Sequence, residues 1–181
     1  MNEAKKQILN KTVDEWLEFG LIKPCTGPWA FNTVIRPKSD GSFRVTVDYT
    51  ELNDVTVKDR YPIARIDQIL CSLADGILFI KSDLVKAYHQ IPIKSEDQVK
   101  TAFITPRGLY MNVTLIDGLC NAPSSFHRVT DKVFGDLKQT HSPTYFDDVI
   151  TKGNDSMILL DNYEQLLDRL ATNHFTIHPN K

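Results

Sequence analysis

The sequence contains no long apolar run. Its longest uninterrupted stretch is a few residues, far short of the roughly 20 that a membrane-spanning helix needs. Cysteine is scarce: Cys25, Cys71 and Cys120 are odd in number, widely separated and without ligand spacing. Neither a disulfide framework nor a zinc site is written into them, and reduced intracellular thiols, mostly packed, are expected. No charge of one sign dominates. The net charge is −2, so a nucleic-acid partner would have to be met by a local basic surface or by surfaces outside this chain. The opening MNEAKKQILN has neither the apolar core of a signal peptide nor the character of a transit peptide. Repeats and low-complexity segments are absent. His89, His127, His141, His174 and His178 share no ligand spacing on one element, so each is expected to be a surface or hydrogen-bonded histidine.

What is present is ordinary globular material. The 181 residues are 41% hydrophobic and 24% charged, enough apolar surface for a sizeable core in one or two domains. Residues 2–19 predict an amphipathic helix with Leu9, Val13, Trp16 and Leu17 on one face and Gly20 as its stop. Pro24, Gly27 and Pro28 make a loop. Ser39-Asp40-Gly41 between the alternating stretches 31–37 and 42–48 predicts a β-hairpin. Pro62 opens a helix with Ile66, Ile69, Leu70 and Leu73 at helical spacing, closed by Asp75-Gly76. Ile77 to Ile80 reads as a buried strand running into Asp83, and 88–94, 99–105 and 109–115 as further strands, with Pro106-Arg107-Gly108 as a turn. Asn121 and Pro123 suit the first turn of a helix carrying Phe126, Val129, Val133 and Leu137 inward. A strand-turn-strand follows over 144–151. A last helix lies near 157–172 with Leu160, Tyr163, Leu167 and Leu170 inward. Helices and antiparallel strands without regular βαβ alternation favour the α+β class.

Tyr145-Phe146-Asp147-Asp148 places two adjacent carboxylates inside a strand pattern, where Asp is disfavoured and like charges repel. On its own the tetrapeptide reads either as an exposed turn or as a metal-binding pair. Asp83, at the end of another strand, widens the second reading. Three carboxylates at neighbouring strand ends can hold two Mg²⁺ ions about 3.5–4 Å apart, a site suited to phosphoryl transfer. Spacing alone does not bring Asp83 to Asp147.

A series of motifs resembles the reverse transcriptases of gypsy-type LTR retrotransposons, in order and through nearly the whole chain. Trp16-Leu17 with Gly20-Leu21-Ile22 resembles the leading helix and its loop, and Pro28-Trp29-Ala30 the family's SPWA stretch. Lys38-Ser39-Asp40-Gly41-Ser42-Phe43-Arg44 resembles the fingers hairpin. Val47-Asp48-Tyr49 with Leu52-Asn53 is similar to VDYRxLN, and Asp59-Arg60-Tyr61-Pro62-Ile63 with Arg65-Ile66-Asp67 to DRYPLPRID. Asp83 with Tyr88-His89-Gln90-Ile91-Pro92-Ile93 resembles LDLKSGYHQIPI. Lys100-Thr101-Ala102-Phe103 and Gly108-Leu109-Tyr110 resemble KTAFxTPxGLYE. Gly118-Leu119-Cys120-Asn121-Ala122-Pro123 with Phe126 resembles PFGLCNAPxxFQR, and residues 145–148 form the YxDD box.

The resemblance implies the fingers and palm of a right-hand polymerase, with an antiparallel palm sheet backed by helices and no thumb within these residues. The implied division is fingers over 1–76, a palm strand carrying Asp83 over 77–94, the second part of the fingers over 95–120, and palm over 121–181. It implies Asp83, Asp147 and Asp148 as catalytic metal ligands for two Mg²⁺ ions, with Mn²⁺ as the alternative. Lys38 and Arg44 would contact the incoming triphosphate, Arg by its bidentate fork. Tyr88 would pack under the sugar and exclude a ribose 2′-hydroxyl, and Asn121-Ala122-Pro123 would begin the palm helix near the template. Read without the family, Lys38 and Arg44 are solvated charges beside a turn, Tyr88 is a core tyrosine, and Asn121 and Pro123 are caps. The implied partners are deoxynucleoside triphosphates and an RNA or DNA template with primer, with no membrane. The implied setting is a longer polyprotein in the cytoplasm or in a virus-like particle.

Three places depart from the pattern. Thr50 replaces an Arg. Ile116-Asp117 stands where the family has Pro-Phe, which puts a carboxylate close to the nucleotide pocket, where it repels a triphosphate by about 1 kcal/mol or more. His141-Ser142-Pro143-Thr144 replaces an apolar strand, and Pro143 cannot donate to a ladder, so a short or edge strand is expected beside the YxDD box. The family's thumb, connection and RNase H regions fall outside these residues, and processive synthesis is expected to need them. Two other readings stay open: an inactive, degenerate retrotransposon remnant with at most weak nucleic-acid binding, and an unrelated carboxylate metallonuclease.

Overall fold

A computed structural model describes residues 3–39, 41–63 and 65–178. In chain order the elements are α1 (Glu3–Glu18), β1 (Ile22–Pro24), β2 (Thr33–Pro37), β3 (Phe43–Val47), α2 (Thr50–Val55), α3 (Ile66–Leu73), β4 (Leu78–Asp83), α4 (Ser95–Gln98), β5 (Phe103–Thr105), β6 (Gly108–Asn112), α5 (Ala122–Thr140), β7 (Thr144–Tyr145), β8 (Asp148–Gly153) and α6 (Ser156–Thr172). Single 3₁₀ turns cover Ala87–Gln90 and Val99–Thr101. The strand pairs of all three sheets are antiparallel, which is the expected α+β class. Among the described residues no helix is long and apolar enough to cross a membrane. The chain forms two compact units. One is Met1–Lys58 with Ile91–Ala122, the other Asp59–Gln90 with Pro123–Lys181.

In the first unit α1 buries Leu9, Val13 and Trp16, the stripe its sequence spacing predicts, and Gly20 turns the chain out of the helix at φ +65°. Trp16 meets Phe103 edge-on at 5.9 Å, and Phe103 also packs on Tyr110. These side chains join Ile22, Phe31, Val47, Tyr49 and Ile116 in one core. A polar network crosses this core fully satisfied. Tyr49 Oη donates to the Thr101 carbonyl at 2.8 Å, and Asn112 Nδ2 donates to Tyr49 Oη at 2.7 Å. Burial pushes the Tyr49 hydroxyl above its ordinary range. The sheet order is β1-β6-β5, and β2 and β3 form the expected hairpin, with Thr33 opposite Val47 and Pro37 opposite Phe43. Asp40 of its turn lies outside the described residues.

In the second unit the sheet order is β4-β8-β7. Central β8 alternates, with Val149, Thr151 and Gly153 buried. Gly153 has a steric reason to be glycine: a Cβ there would lie 2.6 Å from the Leu159 backbone, so it lets α6 approach the strand. Asp155 caps α6 by accepting from the Ile158 amide at 2.9 Å. Helix α5 kinks at Gly135, whose φ is 11°, and Arg169 donates to the Val133 carbonyl at 2.9 Å across the break.

Several local expectations are corrected. Strand β1 and helix α2 were not foreseen, and α3 begins at Ile66 rather than at Pro62. Of the α3 apolar positions only Ile69 is buried, while Ile66 and Leu70 are more than half exposed. Ile77 to Phe79 do not form a buried strand: Ile77 is 71% exposed, because β4 is an outer strand of its sheet. The strand expected over 88–94 is replaced by a 3₁₀ turn and an isolated bridge at Pro92, and of 99–105 the first part, Val99–Thr101, is the 3₁₀ turn after α4 while Phe103–Thr105 is strand. On α6 the buried face is Leu159, Leu166 and Leu170, with Leu160 and Leu167 outward. No cysteine is fully buried, and Cys71 is exposed.

Two tests follow from this packing. Phe103→Ala should cost about 3–5 kcal/mol of stability, read by chemical denaturation, and a loss under about 1 kcal/mol would contradict its place in the core. The second concerns acid. Burial holds His127 and His141 below the usual histidine range, so the unfolded chain takes up protons first. Their contribution is complete above the ordinary value of 6.5 and is lost as pH falls below it through the folded-state values. Tm should therefore be lower at about pH 5.5 than at about pH 7.5. A His127→Gln, His141→Gln double variant should show a smaller difference, and an unchanged one would refute the assignment.

Candidate active site

The carboxylates Asp83 and Asp148 are Cα partners in the β4–β8 ladder. Two short strands produce this. Tyr145 pairs with Asp148 across β7 and β8, so Phe146 and Asp147 form a two-residue turn. Phe146 lies at φ +51°, a left-handed conformation that costs a non-glycine residue roughly 1–2 kcal/mol. Its ring is held by Tyr145 at 4.9 Å and by His127 at 5.0 Å. The Leu84 amide donates to the Asp147 carbonyl at 2.8 Å, tying the turn to the residue after Asp83. The three acids thus reach one end of one sheet, Asp147 exposed and the other two half-buried.

Pro143 does not disturb this arrangement. The Ile150 amide donates to the Pro143 carbonyl at 3.1 Å and the Lys152 amide to the His141 carbonyl at 2.9 Å. Pro143 therefore meets Ile150 through one hydrogen bond instead of two, since it has no N–H to return, and this falls at the end of β7, an outer strand of two residues, as expected.

Lys81 is the residue that sequence reasoning missed. Its Nζ lies 3.0 Å from Asp148 Oδ1. The hydrogen bond and charge of Asp148, with the charges of Asp83 and Asp147, hold the Lys81 ammonium above its usual range. All three acids therefore act on one cation. Among the described residues no three His, Cys, Asp or Glu side chains converge as a ready-made metal cage. In this conformation Asp148 is turned to Lys81. The donors are nonetheless the hard oxygens that Mg²⁺ and Mn²⁺ prefer, placed where a positive charge is already accommodated. The two-residue spacing of Lys81 and Asp83, which puts both on one strand face, was the available signal.

Gln90 was also missed. Its Nε2 donates to the carbonyls of Val85 at 2.7 Å and Thr176 at 3.0 Å, and its Oε1 accepts from the Thr176 amide at 2.7 Å. This clamp fixes the turn bearing Tyr88, whose ring meets Phe126 edge-on at 5.6 Å. The other site residues lie in the first unit. Lys38 and Arg44 flank the hairpin turn, both exposed. Arg44 Nη2 donates to Asp117 Oδ2, so the carboxylate expected to repel a phosphate has its own cation. Thr50 donates through Oγ1 to Asp48 Oδ1 at 2.6 Å, and its hydrogen bonds hold that carboxyl below the usual range. Asn121 Nδ2 donates to the Val57 carbonyl at 2.8 Å.

The family described as Reverse transcriptase (RNA-dependent DNA polymerase) matches residues 36–181, and the chain belongs to it. Its relatives place it more narrowly, among the LTR retrotransposon enzymes that the motif series resembles. It is 36% identical over 164 residues to the Retrovirus-related Pol polyprotein from transposon 297 of Drosophila melanogaster, covering 88% of this chain and 16% of that protein. It is 28% identical over 178 residues to the Transposon Tf2-3 polyprotein of Schizosaccharomyces pombe, covering 98% of this chain and 13% of that one. The chain thus spans 16% or less of these relatives' length. Among solved structures, the native Prototype Foamy Virus Protease-Reverse Transcriptase aligns with a TM-score of 0.84 at 21% identity, covering 98% of this chain and 24% of that one. The foamy viral protease-reverse transcriptase in complex with RNA/DNA hybrid aligns with a TM-score of 0.84 at 19% identity over the same shares. These likenesses show the fold.

Lys81→Met removes the cation that competes for Asp148. Mn²⁺ affinity, measured by electron paramagnetic resonance, should rise by about two- to fivefold, the scale of an exposed ion pair. Weaker Mn²⁺ binding in the variant would show that Lys81 supports the ion rather than competing with it.

Proposed function

We propose that this chain carries the polymerase centre of an RNA-directed DNA polymerase. It would add deoxynucleotides from their triphosphates to a primer 3′-hydroxyl on an RNA or DNA template, as part of a longer polyprotein in the cytoplasm or in a virus-like particle. The observation that most directly supports the reading is the pairing of Asp83 with Asp148 across β4 and β8, with Asp147 in the adjoining turn. In this reading the second unit is the palm and the first the fingers.

Asp83, Asp147 and Asp148 would hold two Mg²⁺ ions, with Mn²⁺ as the alternative. When bound, such ions activate the attacking hydroxyl and stabilise the pyrophosphate leaving group. The protein's own side chains do the rest. Lys81 balances the three negative charges until the ions arrive. Lys38 and Arg44 bind the triphosphate, and Arg44 leaves Asp117 to do so. Tyr88, braced against Phe126, presents a rigid ring where a 2′-hydroxyl would otherwise fit.

The test is primer extension on an RNA template, with the chain joined to the remaining polymerase regions of a relative. Asp148→Asn should lower the rate by at least about a thousandfold, and Tyr88→Ala should raise ribonucleotide use by about tenfold. Extension by the unaltered chain no faster than by Asp148→Asn would leave a fold without the activity.

A further inference from the structure

The turn that carries Tyr88 is poorly equipped to hold itself. It is a 3₁₀ stretch of four residues, Ala87–Gln90, and such turns have weak internal hydrogen bonds. The chain enters it through Lys86 at φ +46°, a left-handed conformation that a lysine keeps only where its surroundings enforce it. The restraint comes from the side chain of Gln90. Nε2 donates to the Val85 carbonyl at 2.7 Å and to the Thr176 carbonyl at 3.0 Å, while Oε1 accepts from the Thr176 amide at 2.7 Å. With two carbonyls and one N–H as partners, the side-chain amide has a single orientation that satisfies all three.

The first of these bonds closes the turn on itself, because Val85 precedes the strained Lys86. The other two fasten it to a support of a different kind. Thr176 follows Phe175, whose amide donates to the Leu170 carbonyl at 2.9 Å and whose ring packs on Phe134 at 6.1 Å. Phe134 is fully buried. The Val85 amide reaches the same Thr176 carbonyl at 3.0 Å. Gln90 thus refers the turn to the core that α5 and α6 share. Tyr88 stands two residues before it, its ring edge-on to Phe126 of α5 at 5.6 Å.

We propose that Gln90 is a positioning residue for sugar discrimination: it holds the backbone of Tyr88 where the ring excludes a ribose 2′-hydroxyl. The inference rests on the polymerase reading and on the part Tyr88 plays in it. A ring set back slightly admits one more oxygen without vacating the site, so the clamp bears on the choice of sugar. With its donors spent on backbone carbonyls, Gln90 acts through Tyr88 and not by its own contact with the nucleotide.

Gln90→Met keeps the length of the side chain and removes all three hydrogen bonds. In primer extension, with the chain joined to the remaining polymerase regions of a relative, the ratio of ribonucleotide to deoxynucleotide kcat/KM should rise by about threefold. That is less than for Tyr88→Ala, because the ring is displaced and not removed. In a Tyr88→Ala background the same substitution should leave the ratio where Tyr88→Ala alone puts it, the non-additivity of two residues that act as one. A merely structural Gln90 would slow both nucleotides alike, and an unchanged ratio overturns the proposal. So does a rise of equal size in the Tyr88→Ala background. Gln90→Glu keeps the acceptor for the Thr176 amide and loses the donors. It should fall between, and it carries the same comparison should Gln90→Met not fold.

A second measurement needs no catalysis. The six tyrosines of the chain are labelled with fluorine, and the Tyr88 resonance is assigned by Tyr88→Phe. In Gln90→Met that resonance should shift or broaden, while those of Tyr49 and Tyr110 in the first unit stay in place. An unmoved Tyr88 resonance overturns the proposal. Failure of the unaltered chain to extend a primer would instead sink the polymerase reading, and the fluorine result would still decide whether Gln90 sets the position of Tyr88.

Discussion

The register between β4 and β8 is the constraint on which the rest depends. Side chains alternate along a strand, so a slip of one residue would exchange every inward position for an outward one. Asp83 would then lose Asp148 as its partner, and Ile150 and Lys152 would replace Val149 and Thr151 in the interior. The register is fixed on the far side of β8 from the carboxylates. Val149 and Thr151 are fully buried, the Thr151 hydroxyl meets that of Ser142 at 3.0 Å, and Gly153 admits α6 at a distance no other residue would allow. A glycine and a hydroxyl pair distant from the chemistry therefore decide where the acids stand.

The turn itself is strained and braced. Phe146 adopts a backbone conformation that glycine would take at no cost, and its ring is packed by neighbours from two elements. The Asp147 carbonyl is held by the Leu84 amide. On its other side, the segment after Asp83 pairs with residues 176–178, since the Val85 amide donates to the Thr176 carbonyl and the His178 amide to the Asp83 carbonyl. The end of the carboxylate strand is thus gripped on both edges, which fixes where its carboxylate oxygens stand.

Much of this was legible in the sequence, and the failures have identifiable causes. The hairpin at 33–47, α1, α5 and the strand-turn-strand at 144–153 were all visible, because Asp-Gly turns and helical stripes are local signals. The buried strand at Ile77 to Ile80 was misjudged because apolar content does not reveal whether a strand is central or outer. Helix α6 was foreseen with Leu170 rightly inward but with Leu160 and Leu167 in place of Leu159 and Leu166, since its apolar positions form a broad band from which only packing selects the buried ones. The 3₁₀ turn at Ala87–Gln90 depends on a side-chain clamp to Thr176, a long-range contact that no window of sequence contains. The meeting of Asp83 with Asp148 was reachable through the ordered motif series, not through spacing. Lys81 went unnoticed because a lysine on an outer strand is ordinarily a solubility feature.

If the hairpin takes a triphosphate as proposed, the Arg44–Asp117 pair alters how it would meet anions. A guanidinium facing only water would accept whichever anion arrived first. One already holding a carboxylate releases it only to a ligand that binds more strongly, so occupancy depends on a difference between two interactions rather than on the strength of one. Singly charged ions and stray carboxylates compete on equal terms with Asp117 and gain little. A polyphosphate, with several oxygens and a higher charge, can displace it. Under the proposed triphosphate-binding role of the hairpin, the acidic residue that breaks the family motif would work as a threshold, trading affinity for discrimination by charge density.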